Sequence, residues 1–269
     1  MKRKVSSKIK YYLNVWLAVL RHSLSKAGTY RIEVLVRSLR GIFLVVIQVI
    51  FINAVMGNQD HFAGWTLDEM YLLAGIFNAV NYVSWSLFSI NLWRLEEKVM
   101  KGEFDFLLLK PFSSIFGASF TEFFVDDAMS AISGLLLVGY YVIKHFAELT
   151  ILNVGASLIM IICAFFIWFS FELIFASFDF IAIKNGTREI KKQIVGIGKF
   201  PVDIWEGNFK ILFYTLLPIA FVGTVPAQAL LGNLDWKYIV MGIAISVLFL
   251  FIAKVIWNQC LKRYTGAGG

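Results

Sequence analysis

Long apolar runs alternate with short polar or charged segments along this chain, and their lengths predict membrane-spanning helices. A helix needs about 20 apolar residues to cross a bilayer core, and isolated strands cannot cross because lipid leaves their backbone groups unpaired. The fold class predicted is an all-α polytopic membrane protein, a single transmembrane domain over residues 1–269. Its six predicted spans are residues 38–56, 70–93, 113–143, 152–183, 210–225 and 236–257.

Residues 1–37 have a different pattern, with basic residues on one helical face and apolar residues on the other. The apolar face comprises Ile9, Tyr12, Leu13, Trp16, Leu20 and Leu24. This pattern predicts an amphipathic helix lying in the membrane interface, an elbow before the first span. A signal peptide is the alternative, but Asn14 and Arg21 break the apolar run and no small-residue cleavage site follows.

A charged island, residues 94–112, separates the second and third spans. Eight of its first twelve positions are Arg, Lys, Glu, Asp or Gly, and it ends in the apolar stretch 106–109 followed by Lys110-Pro111. Such a segment cannot lie in hydrocarbon and is too long for a tight turn. We predict a short surface helix at a membrane face, positioned to contact a soluble partner.

Several polar residues interrupt the apolar spans, and each allows two interpretations. The amides and hydroxyls of the second span, among them Asn78, Asn81 and Ser84, would either line a pathway or bond to neighbouring helices. The acidic residues Glu122, Asp126, Asp127 and Glu172 would either form an ion site or pair with nearby basic residues. The run 226–232, too short to span, starts at a proline and ends at a glycine, which predicts a re-entrant helix before the last span.

Composition and charge support the membrane assignment and give it an orientation. The chain is 59% hydrophobic and 16% charged, with a net charge of +7. Placing the N-terminus in the cytoplasm puts 23 of the 25 Lys and Arg residues on the inner side, including those of segment 184–210, and leaves only Lys144 and Lys237 outside. The positive charge therefore indicates membrane topology rather than nucleic-acid binding, and both termini are predicted to be cytoplasmic.

The chain lacks sequence motifs for ATP hydrolysis or for a known catalytic site. It has no P-loop, H-E-x-x-H or G-x-S-x-G motif. The three histidines are scattered, and Cys163 and Cys260 have no metal-ligand spacing. We predict no catalytic residue, no metal site and no cofactor bound by this chain, so uphill transport would need an ion gradient or another polypeptide.

The segment Gly102-Glu-Phe-Asp-Phe-Leu-Leu-Leu-Lys-Pro111 resembles the G-x-h-D-x-L-L-h-[KR]-P motif (h, apolar) that follows the second span of type 2 ABC export permeases. Later landmarks resemble one bacterial branch of that family: Phe200-Pro201, Leu217-Pro218-Ile-Ala-Phe221, Val225-Pro226-Ala227 and the end Arg263-Tyr264-Thr-Gly-Ala-Gly268. The resemblance covers nearly the whole chain in the same order.

This resemblance implies that residues 94–111 form a coupling helix docking on a separate ATPase subunit, which would bind ATP and Mg²⁺. Its contacts would be Glu96, Glu97, Lys98, Lys101, Glu103, Phe104, Asp105, Phe106 and Lys110. The substrate path would run between two permease subunits, identical or different, and be lined by Phe77, Asn78, Asn81, Ser84 and Trp85.

The implied function is ATP-driven export, by alternating access, of an amphiphilic substrate such as a drug, lipid, peptide or glycan-like molecule across a bacterial cytoplasmic membrane. A different class remains open: an ion-coupled secondary transporter or channel using Glu122, Asp126 and Glu172. Such proteins usually show an internal repeat, and none is seen between residues 38–143 and 152–257. A membrane-embedded enzyme or a purely structural protein is the third possibility.

Overall fold

A computed structural model describes residues 2–182 and 186–266, and helices dominate both ranges. The first helix, α1 (Lys2–Thr29), carries the basic amphipathic pattern. The long helices are α2 (Arg31–Met56), α3 (Leu67–Ser84), α8 (Val125–Lys144), α9 (Ile151–Ser177) and α13 (Trp236–Leu261). The shorter ones are α4 (Ile90–Trp93), α5 (Leu95–Met100), α6 (Glu103–Leu108), α7 (Ser114–Ser119), α10 (Thr187–Ile197), α11 (Asn208–Tyr214) and α12 (Thr224–Leu230).

Five helical runs within the described residues are long and apolar enough to cross a membrane. They are Arg31–Met56, Leu67–Met100, Val125–Lys144, Ile151–Phe180 and Trp236–Leu261. The second run is α3 continued through a wider, π-type turn (Trp85–Ser89) into α4 and α5. Four of these runs correspond to the predicted first, second, fourth and sixth spans. Three are longer than predicted, whereas the fourth span, predicted to reach residue 183, ends at Phe180.

The predicted third span, residues 113–143, is not one helix. Ser113 caps α7 by accepting a hydrogen bond from the backbone N–H of Phe116, and α7 ends at Ser119. The chain then runs without helix to Phe124, whose extended backbone precedes α8. The spanning helix is therefore α8, and residues 113–124 form a separate helix and connection.

The predicted fifth span, residues 210–225, does not form a continuous helix either. It divides into α11, a single 3-10 turn (Ile219–Phe221) and the beginning of α12. Pro218 lacks the backbone N–H that a continuing helix needs, which accounts for the break. The short helix predicted over 226–232 exists, but begins two residues earlier as α12.

The loops on either side of the bundle define two ends. At one end, here called the loop end, Asp68 pairs with Lys144 at 2.6 Å and its carboxylate lies 3.2 Å from His145. These contacts join the first turn of α3, next to the α2–α3 loop, to the end of α8 and the start of the α8–α9 loop. The charged island, the end of α9 and the C-terminal residues after α13 lie at the opposite end, the island end.

Segment 184–210 was predicted to lie wholly on the inner side with the charged island, and the structure contradicts this. Asp203 accepts hydrogen bonds from the Trp65 indole at 3.0 Å and from Lys210 at 2.6 Å. Trp65 belongs to the α2–α3 loop, so Asp203 and Lys210 lie at the loop end. The chain therefore passes between the two ends within residues 187–203, of which α10 supplies 11; residues 184 and 185 fall outside the described ranges.

Small residues allow the central helices to pack closely. A Cβ atom added to Gly134 of α8 would lie 2.6 Å from the backbone nitrogen of Ala79 in α3, and one on Gly75 would lie 2.8 Å from the carbonyl oxygen of Gly134. Close backbone approach at small residues is typical of helix pairs in membranes. By contrast, α2 and α13 expose a continuous set of large apolar side chains, as lipid-facing helices do.

Candidate functional site

The charged island is two short helices rather than the single predicted one. Gly102 separates α5 from α6 with a backbone φ of 70°, a left-handed conformation that glycine adopts without steric cost. Leu95, Val99, Phe104 and Leu107 form the buried side of the pair. They pack on the end of α9 and on Trp257 of α13, so the island rests on two spanning helices.

Phe104 belongs to this buried side, which corrects its predicted role as a partner contact. Its exposed fraction is 0%, and its ring centroid lies 5.0 Å from Phe180 and 5.7 Å from Tyr264. Asp105 also faces the chain's own C-terminal residues, because a Cβ on Gly266 would lie 2.9 Å from its carboxylate. Burial and this carboxylate raise the pKa of Tyr264 to about 12, so the phenol stays neutral at physiological pH.

Two family-like landmarks, the motif at 102–111 and the chain end, therefore meet in space. Tyr264 and Gly266 cover Phe104 and Asp105, while Ala267 and Gly268 of the same landmark lie outside the described residues. Sequence reasoning did not predict this contact, because the two segments are separated by about 160 positions. Contacts with the chain's own C-terminal residues therefore help to determine the conformation of the motif.

The remaining island residues form an exposed surface of mixed character. Phe106 is 70% exposed and Leu109 is 83% exposed, which is unusual for large apolar side chains. Around them, Glu97, Lys101, Glu103 and Lys110 are exposed, while Glu96 and Lys98 are half-buried. Lys101 bonds to Glu97 at 2.6 Å, and this hydrogen bond raises the pKa of Lys101, so the lysine is charged at neutral pH.

A polar cleft of about 640 Å³ opens beside this surface, between the island and residues 121–122. Within it the Lys98 ammonium donates to the hydroxyl of Thr121 at 3.1 Å. Arg94 donates to Glu122 at 2.9 Å. Phe106 lies at this cleft, so an exposed apolar side chain and a polar concavity adjoin each other on the island.

The predicted path residues differ in burial. Phe77, Asn78 and Ser84 are buried, and the Asn78 amide donates to Gln48 of α2 at 2.8 Å. For Asn78 this favours helix-to-helix bonding over an open pathway within one chain. Asn81 and Trp85 are half-buried.

The acidic residues of the ion-site hypothesis each have a basic neighbour and do not converge. Glu122 pairs with Arg94, Asp126 lies 3.9 Å from Arg37, and Glu172 lies 2.6 Å from Lys191. Within residues 2–182 and 186–266 no group of three or more His, Cys, Asp or Glu side chains is placed to hold a metal ion. The structure favours pairing with nearby basic residues for all three.

Sequence reasoning missed the buried Glu172–Lys191 ion pair. Glu172 is 3% and Lys191 8% exposed, and both lie among aromatic side chains. Lys191 was assigned to a cytoplasmic loop because its segment is polar. The available signal was the 3.6-residue spacing of Ile190, Ile194 and Ile197, which predicts an amphipathic helix.

Comparison with known proteins identifies the family. The model of a family described as "ABC-2 family transporter protein" matches residues 42–268, most of the chain. A comparison with curated proteins finds no match. The family consists of membrane subunits of ABC transporters, which associate with an ABC ATPase. With five helical runs able to cross a bilayer among the residues that the structure describes, the chain belongs to the ABC-2 family and is a multi-pass membrane permease of an ABC transporter.

Proposed function

We propose that this chain is the permease subunit of an ATP-driven exporter of amphiphilic molecules, and that a separate ATPase docks on the charged island. The observation that carries the proposal is the exposure of Phe106 and Leu109 among charged side chains at the island end. Exposed apolar anchors surrounded by polar groups are typical of protein–protein contact sites. ATP and Mg²⁺ would be bound by the partner.

The packing beneath the island supports a mechanical role. Island movement would be transmitted to α9 and α13 through the Phe104, Phe180 and Trp257 rings, which lie 4.9–6.5 Å apart. The island is also continuous with α3 through α4 and the π-type turn. Packed helices of this kind move as rigid units between a few arrangements, which suits alternating access driven by an external motor.

The exposed face of α10 is evidence that a second permease subunit or a water-filled path, rather than lipid, lies beside this part of the bundle. Glu189, Lys192 and Gln193 are exposed on this helix, yet α10 belongs to the segment that crosses between the two ends. Charged side chains facing hydrocarbon are costly. We infer that this face lines an inter-subunit path, joined by Asn81 and Trp85, in a homodimer or heterodimer of permeases with cytoplasmic termini.

The test is a pull-down through an affinity tag on this chain, followed by an ATPase assay of the eluate. The double variant Phe106→Ala/Leu109→Ala should retain about a tenth or less of the co-purified ATPase, because truncating two interface anchors costs about 2 kcal/mol or more. The matched control is Phe146→Ala: Phe146 is 75% exposed but lies at the loop end. Equal ATPase recovery from both variants would contradict the docking proposal.

A further inference from the structure

The Lys191 ammonium occupies an aromatic cage inside the bundle. Its Nζ lies 2.6 Å from Oε2 of Glu172, 5.1 Å from the ring centroid of Trp93 and 5.9 Å from that of Trp85. Both distances are within the range of cation–π attraction. The cation is thus held by one carboxylate and two indole rings in a site nearly closed to solvent.

The cage is built without any contribution from the helix that carries the lysine. Trp85 and Trp93 come from the π-type turn and α4, and their ring centroids are 6.0 Å apart. In a regular α-helix, residues eight positions apart differ by about 80° around the axis; a wider turn reduces this offset. Such π-type turns are frequent at functional sites, and here the turn lies where the two rings converge.

Glu172 is oriented by a neighbour on its own helix. The Trp168 indole N–H lies 3.3 Å from Oε1 of Glu172 and 3.3 Å from the Ser89 hydroxyl. The second carboxylate oxygen, Oε2, accepts the hydrogen bond from Lys191. The walls therefore belong to the π-type turn, α4 and α9, whereas the cation belongs to α10.

We propose that this cage is a binding site for an organic cation with an aromatic or apolar body, and that Lys191 is an internal cation that occupies it when the cargo is absent. A quaternary or protonated nitrogen would take the position of Nζ, against Glu172, Trp85 and Trp93. The apolar body would contact the adjoining wall of Phe77, Trp168, Phe171 and Phe175. Recognition of organic cations by aromatic rings and a carboxylate is well established physically.

The size of the adjoining cavity shows why Lys191 must leave. It measures about 20 Å³, room for about one water molecule. An organic cation therefore fits only after Lys191 and its part of α10 move away from the cage. The ammonium would then join Glu189, Lys192 and Gln193 on the exposed, polar side of α10, where water can solvate it.

A purely structural ion pair is the competing explanation. Buried ion pairs add little stability compared with apolar side chains of similar size, because desolvating the charges offsets their attraction. That explanation gives no role to the two indole rings arranged around the ammonium. The inference rests on the proposed function only in treating the cation as exported cargo; the cage itself can be tested without ATP.

The experiment measures equilibrium binding of tetraphenylphosphonium to the complex purified through this chain into lipid nanodiscs, without nucleotide. Trp93→Leu should weaken binding about tenfold or more, because a desolvated cation–π contact contributes about 2 kcal/mol. Trp93→Phe should fall between Trp93→Leu and the unmodified protein. Lys191→Met should tighten binding about tenfold, because the internal competitor is removed.

Two controls separate cage binding from general hydrophobic uptake. Trp236→Leu removes an exposed tryptophan at the start of α13 and should leave binding unchanged. Tetraphenylborate has nearly the same shape but a negative charge, and it should not compete. Because Lys191→Met leaves Glu172 without its lysine, its folding is checked by whether tetraphenylphosphonium raises its melting temperature more than that of the unmodified protein.

The inference is overturned if Trp93→Leu binds the cation as well as the unmodified protein, or if Lys191→Met binds no more tightly. If the binding predictions for the cage fail but the ATPase still co-purifies, the exporter proposal is unaffected. If the cation binds as expected but no ATPase co-purifies, the exporter proposal is contradicted and the inference of a cation-binding cage still holds. The two failures are therefore distinguishable.

Discussion

Phe104 and Phe106 are two positions apart in α6 and face opposite environments. Phe104 lies under the island against Phe180, Trp257 and Tyr264, whereas Phe106 is 70% exposed. The same residue type thus has two roles in one turn of helix. One holds the island on the bundle, and the other is available to a partner.

This difference predicts opposite outcomes for two alanine substitutions. Phe104→Ala should destabilise the permease by about 3–5 kcal/mol, because it leaves a cavity within an aromatic cluster. Phe106→Ala should leave stability within about 0.5 kcal/mol and reduce ATPase recovery instead. The measurement is the fraction of monodisperse protein that survives heating, with ATPase recovery measured on unheated samples.

Equal loss of stability in both variants would contradict the assignment of Phe104 to the buried side. Sequence reasoning placed both phenylalanines on the contact surface, since the motif is local and its apolar positions look alike. The residues that bury Phe104 come from α9, α13 and the chain end. A segment cannot reveal which of its sides is covered until the distant elements that cover it are known.

Among the elements, α3 and α8 pack with their backbones close together, and two glycines allow it. Gly134 approaches the backbone of α3 so closely that any side chain must push the helices apart. Gly139, five residues later on α8, has no atom within 4 Å of the position where a Cβ would be. One helix therefore offers both a sensitive position and its matched control.

Gly134→Ala should lower the free energy of unfolding by about 1–3 kcal/mol, the usual cost of forcing extra volume into a packed interface. Gly139→Ala should be neutral or slightly stabilising, because alanine has the higher helix propensity. The amount of folded protein recovered from membranes and its melting temperature measure both effects. A neutral Gly134→Ala variant would show that the helices are farther apart than described.

The elements were predictable from sequence where the apolar run is continuous and not where it is interrupted. Helices α9 and α13 begin within one residue of their predicted starts, because their long apolar runs contain no proline and few charged residues. Segment 210–225 is equally apolar, but Pro218 divides it and most of residues 217–230 are buried against other helices. Hydropathy cannot distinguish an apolar segment packed in protein from one surrounded by lipid.

The opposite error concerns α10. Because its residues are polar, sequence reasoning placed it on the cytoplasmic side, although its segment passes between the two ends of the bundle. Lys191 is compensated by Glu172, and the exposed polar side of the helix suits an inter-subunit path. Hydropathy averaged over a stretch of sequence treats every charged side chain as unfavourable in a membrane, because it does not include the residue that pairs with that charge in the folded protein. The sequence thus predicted the helical class and most spans, while the pairing that makes a polar crossing possible depended on tertiary contacts.

At the scale of the whole molecule, the island end and the loop end should lie on opposite sides of the membrane. Asp203 and Lys210 join the loop end through Trp65, although the positive-inside count had placed their segment with the island. This relocation moves Lys210 to the side that already holds Lys144 and Lys237. Most Lys and Arg residues outside segment 184–210 still lie in the N-terminal helix, the island and the C-terminal region, so the cytoplasmic assignment of the island remains favoured.

Single-cysteine labelling tests this arrangement. Asp60→Cys and Glu206→Cys occupy exposed positions at the loop end, and Glu103→Cys occupies an exposed position on the island. Both native cysteines are buried, which keeps background labelling low. In intact cells a membrane-impermeant maleimide should label Asp60→Cys and Glu206→Cys, and Glu103→Cys should react only after permeabilisation.

The chain does not cross within residues 187–203 if Glu206→Cys and Glu103→Cys are both labelled in intact cells, or if both react only after permeabilisation. A full inversion, with only Glu103→Cys labelled from outside, would preserve that crossing and overturn the cytoplasmic island on which ATPase docking depends.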